Sequence, residues 1–128
     1  MNNWIPFVDG EYLVDQALLL AAEDRAVAID EVIVEVYSDQ KGQRHLRGRG
    51  RVRNTLMVEL LRDSDELDLL LDFGGEFKFL LKAPNLQAGK VFSPDVKSTL
   101  QFIPTIPWHQ MDPSAYEAKL AKLNILPD

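Results

Sequence analysis

The segment EVIVEVYSDQKGQRHLRGRGRVR, residues 31–53, contains two runs in which every second residue is Val, Leu or Gly. A period of two residues is typical of a β-strand with one buried face, because successive side chains point to opposite sides. Between the runs, SDQKGQ is rich in residues that favour turns. The segment therefore predicts a β-hairpin.

The arginines of the second run fall on one side of the predicted strand, at Arg47, Arg49, Arg51 and Arg53. We predict that Tyr37 lies opposite His45 in the hairpin. In that register the other facing pairs are Glu35 with Arg47, Glu31 with Arg51, Val36 with Leu46, Val34 with Gly48, and Val32 with Gly50. Cross-strand pairs of opposite charge contribute about 0.2 to 1 kcal/mol each, so the facing acids partly neutralise the arginines. The basic run is therefore interpreted as the solvent-facing side of a strand.

Gly48 and Gly50 take inward positions in this strand. Glycine inside a strand weakens it and usually marks a bulge or the close approach of a bulky neighbour. We predict that the two glycines leave room for a helix packed over this face. The alternative is the close approach of a ligand.

The residues before the hairpin predict that helix. Residues 10–26 are rich in Leu, Ala and Glu, which favour helices, and they contain no Pro. Asp9 stands at the N-cap position, and Leu13, Ala17 and Leu20 fall on one helical stripe. We expect a helix over residues 10–26 that covers one face of the sheet.

The residues after the hairpin predict further strands and a short helix. Alternating apolar residues predict strands in NTLMVELL (54–61), ELDLLLDF (66–73), EFKFLLKA (76–83) and STLQFI (98–103). The turn at Gly74-Gly75 is predicted to contain a bulge or to be longer than two residues, because a strict two-residue turn would put Phe77 on the side of Asp72. Asp112 and Pro113 predict the start of a C-terminal helix.

These elements predict an α+β fold in a single domain spanning residues 1–128. The expected architecture is an N-terminal helix packed on a curled antiparallel meander of about four to six strands, with a short C-terminal helix. A chain of 128 residues is long enough to bury one hydrophobic core.

Charge is unevenly distributed along the chain. The formal net charge is -6, yet residues 40–58 hold six basic residues and no acidic one. The remainder has eight basic residues against twenty acidic ones, a balance of -12. We therefore expect two surfaces of opposite sign, and we expect the acidic chain to repel polyanions such as nucleic acid.

The sequence also bears on the compartment. It contains no Cys, which excludes disulfides and thiolate chemistry and is typical of a reducing environment. No apolar run is long enough to span a membrane, and the first residues lack the layout of a signal peptide. We expect a cytoplasmic protein with no membrane partner.

Motifs for catalysis, metal binding and cofactor binding are missing from the sequence. The two histidines, His45 and His109, stand in no nucleophile motif. The acids of residues 63–68 lack the glycine and the distal glutamate of a calcium loop. The G-x-G fragment at residues 48–50 is followed by a strand pattern, whereas a phosphate-binding loop leads into a helix. We assign no catalytic or metal-binding residue and expect a non-enzymatic protein without a cofactor.

The candidate partner-binding residues are Arg47, Arg49, Arg51, Arg53, Tyr37 and Trp108. Arg, Trp, Tyr and Met are enriched at protein interfaces. Trp108 stands among prolines with Ile106 and Met111, and Trp4 stands near the N-terminus, where no predicted element obviously buries them. The alternative is that both tryptophans close the ends of the sheet.

These features predict a small binding protein that acts through protein–protein recognition. It would act as a homodimer, or as an adaptor similar to inhibitors and immunity proteins, whose acidic surface steers a basic partner. In a two-fold dimer, Arg49 and Arg53 would face Asp68 and Asp72 of the second subunit.

Two other functions remain open. The arginine-faced strand and Tyr37 would suit an anion or a nucleic acid, with the aromatic ring available for base stacking. A cleft between the N-terminal helix and the sheet, near Gly48 and Gly50, would suit a small molecule.

Overall fold

The computed structural model describes Ile5 and residues 7–62, 66–88 and 96–127. These residues form a curled, mostly antiparallel half-barrel of ten strands with two α-helices. The strands are β1 (Gly10–Leu13), β2 (Gln16–Leu20), β3 (Arg25–Ser38), β4 (Arg44–Arg53), β5 (Asp68–Asp72), β6 (Lys78–Leu81), β7 (Asn85–Ala88), β8 (Lys97–Ile103), β9 (His109–Gln110) and β10 (Asn124–Ile125). The helices are α1 (Asn54–Arg62) and α2 (Pro113–Lys122), and a short 3-10 turn spans Ala22–Asp24.

The prediction of an α+β fold with an N-terminal helix packed on a meander is wrong. Residues 10–26 form β1, β2, the 3-10 turn and the start of β3. All of Ala17–Leu20 is buried, because β2 lies between β3 and β5 and both of its faces are covered. A strand buried on both faces has a continuous apolar run, which resembles a buried helix in sequence.

The prediction of a strand over residues 54–61 is also wrong, because these residues belong to α1. Leu56, Met57 and Leu60 are buried in the core, whereas Val58 is 50% exposed. Leu56 and Leu60 fit both a two-residue period and a helical one. The buried Met57 and the exposed Val58 fit only the helical period.

β3 is the centre of the sheet and belongs to two halves of it. Its first half pairs with β2 and, in parallel, with β10, while its second half pairs with β1 and β4. We call the second half of β3 with β1, β4, β8 and β7 the front sheet. The back sheet is the first half of β3 with β10, β2, β5, β6 and β9.

A β-bulge at residues 30–33 separates the two halves of β3. Before the bulge, Val27 and Ile29 belong to the main core, and after it Val32 and Val34 do. The inward side thus changes from odd to even residue numbers. Because side chains alternate along a strand, this change requires one extra residue.

Because of the bulge, part of the predicted hairpin register is wrong. Glu31 adopts a positive φ of 54° within the bulge, and Asp30 rather than Glu31 lies opposite Arg51. The predicted pair of Val32 with Gly50 is not formed either, because the register shifts between Asp30 and Ile33. The other four predicted pairs are confirmed. The observed pairs are Tyr37 with His45, Val36 with Leu46, Glu35 with Arg47, and Val34 with Gly48.

Gly48 and Gly50 face inward as predicted, but among the described residues side chains of other strands, and not a helix, fill the space beside them. A Cβ atom at Gly48 would lie 2.0 Å from the Phe102 ring. At Gly50 it would lie 2.6 Å from Ile29 and 2.7 Å from Val32. The glycines therefore make room for an aromatic ring of β8 and for the side chains that flank the bulge.

The other elements follow the prediction more closely. Strands β5 and β6 lie within the segments predicted for them, and β8 begins one residue before its predicted segment. The turn between β5 and β6 is longer than two residues, since the Phe73 N–H donates to the Phe77 carbonyl at 2.9 Å. α2 begins after Asp112 with Pro113 in its first turn.

α2 covers the outer face of the back sheet. Its buried Tyr116 packs in a second apolar cluster with Leu18, Leu20 and Leu70. The Tyr116 hydroxyl donates to Gln16 Oε1 at 3.0 Å, and burial raises the pKa of Tyr116 to about 12. The outer face of the back sheet is therefore closed over this cluster.

The contact between Gly48 and Phe102 predicts a non-additive pair of substitutions. Gly48→Ala should destabilise the fold by about 1 to 3 kcal/mol, because its methyl group overpacks the core against the ring. In the double variant with Phe102→Leu the smaller side chain relieves the clash, so the loss should be less than the sum of the single losses. Urea unfolding of the four proteins measures this, and additive losses would contradict the packing.

The bulge predicts opposite effects at two glutamates of β3. Glu31→Gly should raise the free energy of unfolding by up to about 1 kcal/mol, because glycine tolerates a positive φ that other residues adopt at a cost. Glu35→Gly, the matched change in a regular part of the strand, should lower it by at least about 0.5 kcal/mol. Denaturant midpoints compare the two, and destabilisation by both would argue against the left-handed conformation at Glu31.

Candidate functional site

Four arginines of β4, from Arg47 to Arg53, project from the outer face of the front sheet, because the residues between them point into the core. Arg47, Arg49 and Arg51 are exposed and Arg53 is half-buried, so the structure brings the four predicted residues together. We call this surface the arginine face. Its outward residues are Glu11, Leu13, Asp30, Ile33, Glu35, Tyr37, His45, Arg47, Arg49, Arg51, Arg53, Lys97, Thr99, Gln101 and Ile103.

Cross-strand pairing orders these residues into rows. The central row is Leu13, Ile33, Arg49, Gln101 and Gln87. The rows on either side of it are Glu11, Glu35 and Arg47, and Asp30, Arg51 and Thr99. The arginines thus form a column, with acidic and apolar residues of β1 and β3 on one side. On the other side lie Lys97, Thr99, Gln101 and Ile103 of β8.

Two of the arginines are close to acids of the same face. Arg47 Nε donates to Glu35 Oε1 at 2.8 Å, and this hydrogen bond raises the pKa of Arg47. Arg49 Nη2 lies 3.9 Å from Glu11 Oε2. Exposed pairs of this kind contribute about 0 to 1 kcal/mol each, so a partner carboxylate can replace them at small cost.

The face carries more cations than anions even after these pairs are counted. Its cations are Arg47, Arg49, Arg51, Arg53 and Lys97, and its anions are Glu11, Asp30 and Glu35. Lys97 Nζ contacts Asp30 Oδ2. The excess of positive charge lies along β4, in a chain whose overall formal charge is -6.

Tyr37 is held by its neighbours on this face. Its ring stacks on His45 with centroids 5.3 Å apart, and the guanidinium carbon of Arg47 lies 4.9 Å from the ring centroid. His45 Nε2 lies 2.8 Å from Asp39 Oδ2. The ring that would stack on a nucleic-acid base is therefore already in contact with two side chains.

An open depression of about 330 Å³ lies between β4 and β8 on the arginine face. Its lining consists of Arg47, Gly48, Arg49, Gln101, Phe102 and Ile103. Two guanidinium groups and an amide stand beside an apolar side chain here, and Ile103 is 48% exposed. Such a lining suits a carboxylate with an apolar neighbour.

Trp108 lies apart from the arginines. It is buried, and its ring stacks on Phe79 at 4.4 Å between centroids. Phe7 and Phe73 complete an aromatic cluster around it. This arrangement matches the alternative in which the tryptophan closes the sheet, and Trp4 lies outside the described residues.

The acids predicted to meet the arginines in a dimer have partners within the chain. Asp68 Oδ2 accepts from Lys82 Nζ at 2.8 Å, and Asp72 Oδ1 accepts from Lys78 Nζ at 2.9 Å. Each carboxylate also accepts a backbone N–H, from Ala83 and Gly74 respectively. Asp68 and Asp72 are thus engaged in holding the β5–β6 region, which argues against that dimer.

The structure also shows which site residues the sequence reasoning missed. Glu11 and Leu13 belong to the arginine face, although they were predicted to lie in a helix. No local sequence signal marks them, because their position depends on pairing with residues twenty or more positions away. Gln101 and Ile103 do alternate with core residues, but the sequence does not say which strand lies beside them.

The described residues contain no group of three or more His, Asp or Glu side chains that could hold a metal ion. His109 is exposed on the edge strand β9, and Lys78 is buried against Asp72 and the Tyr116 ring. Neither residue lines the depression on the arginine face. The arginine face is the candidate site that these observations favour.

Asp39 closes the hairpin turn beside this face. Its Oδ1 accepts the backbone N–H groups of Lys41 and Gln43, both at 2.9 Å. The hydrogen bond to His45 and the one from Gln43 hold the pKa of Asp39 below its ordinary value of 3.8. The charged carboxylate therefore stabilises the turn.

This shift predicts an acid-dependent difference from the variant Asp39→Asn. A carboxyl group whose folded pKa is lowered stabilises the fold above pH 3.8, and the contribution is lost as the pH falls through the folded pKa. The wild type should therefore be more stable than Asp39→Asn at about pH 5, and the difference should shrink towards about pH 2.5. Urea midpoints measure this, and a difference that grows in acid would contradict the assignment.

No α-helix in the described parts of the chain is long and apolar enough to cross a membrane. Comparison of the chain with protein-family models, with curated proteins and with solved structures found no match. Function is therefore inferred from the contacts and charges of the arginine face.

Proposed function

We propose that the chain is a protein-recognition module whose arginine face docks an acidic surface of a partner protein. The observation that carries this proposal is the contrast between the two outer faces of the half-barrel. α2 covers the outer face of the back sheet with Tyr116. Among the described residues, no helix covers the outer face of the front sheet.

The composition of the uncovered face supports a protein partner. Arg and Tyr are the residue types most enriched at interface hot spots, and both occur here. Leu13 and Ile103, exposed by 76% and 48%, add apolar surface on either side of the arginines. Guanidinium groups beside apolar side chains favour a partner that combines Asp or Glu with apolar residues.

Charge supports an acidic partner over a basic one. Among the described residues the cations of the face exceed its anions, and Arg51, Arg53 and Lys97 have one acid of the face beside them, Asp30. Complementary charge raises the association rate and fixes the orientation of the partner. Because the pairs of Arg47 and Arg49 are exposed, a partner can exchange them at little cost.

The two other functions that the sequence left open have weaker support. A nucleic acid would need a free stacking platform, but Tyr37 is in contact with His45 and Arg47. The cleft proposed between an N-terminal helix and the sheet loses its basis, because residues 10–26 form strands. On the inner side of the sheet, where that cleft was expected, the space beside Gly48 is filled by the Phe102 ring.

Charge reversal on the arginine face tests the proposal. Immobilised wild type and the variant Arg49→Glu/Arg51→Glu are used to capture proteins from extract of the native cells, with and without nuclease treatment. We expect a protein retained by the wild type to be reduced at least about tenfold by the double reversal, because like charges now face it. Quantitative mass spectrometry measures the retained protein.

The matched control is Lys41→Glu/Lys122→Glu, which changes the net charge equally at exposed positions outside β4. It should retain the partner like the wild type, and about 0.5 M salt should weaken retention by screening. Equal loss in both variants, no specifically retained protein, or retention that nuclease abolishes would each overturn the proposal.

We place this interaction in the cytoplasm. The lack of Cys supports that location, because a chain without thiols is suited to a reducing compartment and needs no disulfide.

A further inference from the structure

β1 forms an open edge of the front sheet. It pairs with β3, and no other described strand pairs with it. The Val14 N–H donates to the Val32 carbonyl at 3.1 Å, which fixes the alternation of hydrogen bonds along the ladder. Residues Tyr12 and Gly10 therefore also bond to β3, whereas the N–H and C=O groups of Glu11 and Leu13 point away from it.

Exposed apolar side chains flank this edge. Val8 and Leu13 are 77% and 76% exposed, the highest values among the large apolar residues of the described chain. An open edge next to exposed apolar residues is a template for pairing with another chain. The edge has neither proline nor lysine, two residues that often protect such strands.

The edge is acidic. Asp9, Glu11 and Asp15 lie along it, and the chain has no Lys or Arg before Arg25. Asp15 stands against the β5–β6 turn at Gly74, and this turn also carries an acid, Glu76. Arg44 Nε lies 3.7 Å from Asp9 Oδ1 and Arg49 Nη2 lies 3.9 Å from Glu11 Oε2, and exposed ion pairs of this kind can be exchanged for contacts with a partner at small cost. A basic strand therefore suits this edge.

We infer that β1 is a second docking site, which takes an extended basic segment of a partner protein as an added antiparallel strand. The antiparallel direction follows the front sheet, whose strand pairs are all antiparallel. Lys or Arg residues of the segment lie on the outer side beside Glu11, and apolar residues lie on the inner side beside Tyr12.

A second copy of the chain is the weaker occupant of this edge. Two β1 strands paired about a two-fold axis would bring together two sets of Asp9, Glu11 and Asp15. Like charges directly opposite each other on paired strands are destabilising. The edge shares Glu11 and Leu13 with the arginine face, but strand addition uses their backbone groups and not the arginines of β4, so the inference can fail without affecting the proposed function.

Amide hydrogen exchange with a defined peptide tests the inference. The probe is a fluorescein-labelled octapeptide of alternating Lys and Val, with a Glu and Val octapeptide as its counterpart. In the free protein the amides of Glu11 and Leu13 should exchange faster than those of Tyr12 and Val14. The Lys peptide should slow exchange at Glu11 and Leu13 at least about tenfold, because it supplies their missing acceptors.

Backbone methylation separates strand addition from adsorption by charge. In the added strand, residues directly opposite Glu11 and Leu13 are Lys, so the Lys amides point towards β1 and the Val amides away from it. N-methylation at alternate Lys residues should abolish binding in fluorescence anisotropy, and N-methylation at alternate Val residues should leave it within about threefold. Equal effects of the two would overturn the inference.

Charge variants complete the test. Glu11→Lys/Asp15→Lys should weaken binding of the Lys peptide at least about tenfold, and Glu66→Lys/Glu117→Lys, which changes the charge equally at exposed positions elsewhere, should not. Absence of protection at Glu11 and Leu13, or binding of the Glu peptide with similar affinity, would refute a basic strand. Protection that rises with protein concentration without peptide would assign the edge to a second copy instead.

Discussion

One extra residue in β3 makes the half-barrel possible. The first half of the strand directs Val27 and Ile29 into the core, and the second half directs Val32 and Val34 there. Without the bulge these two sets would face opposite sides of the sheet, and the arginines of β4 would point into the core. Gly50 lies opposite the bulge, where a larger residue would collide with both flanking side chains. The strain at Glu31 is therefore balanced by apolar burial on both sides of it.

The bulge in β3 divides the molecule into a front sheet and a back sheet, and the outer surfaces of these two sheets differ. The back sheet is apolar on both faces, which requires α2 over Leu18, Leu20 and Leu70. The front sheet is apolar only inside, and its outer side carries the arginines and their paired acids. The edge strand β1 of the front sheet is acidic, whereas the central strand β4 is basic. Opposite charges thus lie within one surface, a finer separation than the two surfaces expected from the sequence.

The alternation of apolar and polar residues correctly predicted strands that have one buried face and one solvent-exposed face. The β3–β4 hairpin, its register from Tyr37 to Gly48, and the outward direction of the arginines follow from this pattern. The pattern failed at β2, which is buried on both faces, and at α1, where Leu56 and Leu60 fit two periods. Trp108 and Leu13 depend on strands distant in the chain, so no local window could show that one is buried and the other exposed.

The inward and outward residues of β4 are under different structural constraints. Its glycines are fixed by the Phe102 ring and by the β-branched side chains beneath them, so substitutions there disturb the interior. Arg47, Arg49, Arg51 and Arg53 lie on the outer side, exposed or half-buried, and none of them belongs to the core. The outward residues of β4 can therefore be substituted together, which would change what the surface binds and leave the core packing unchanged. The alternation of Arg and Gly in β4 thus separates surface positions that tolerate substitution from inward positions that core packing restricts.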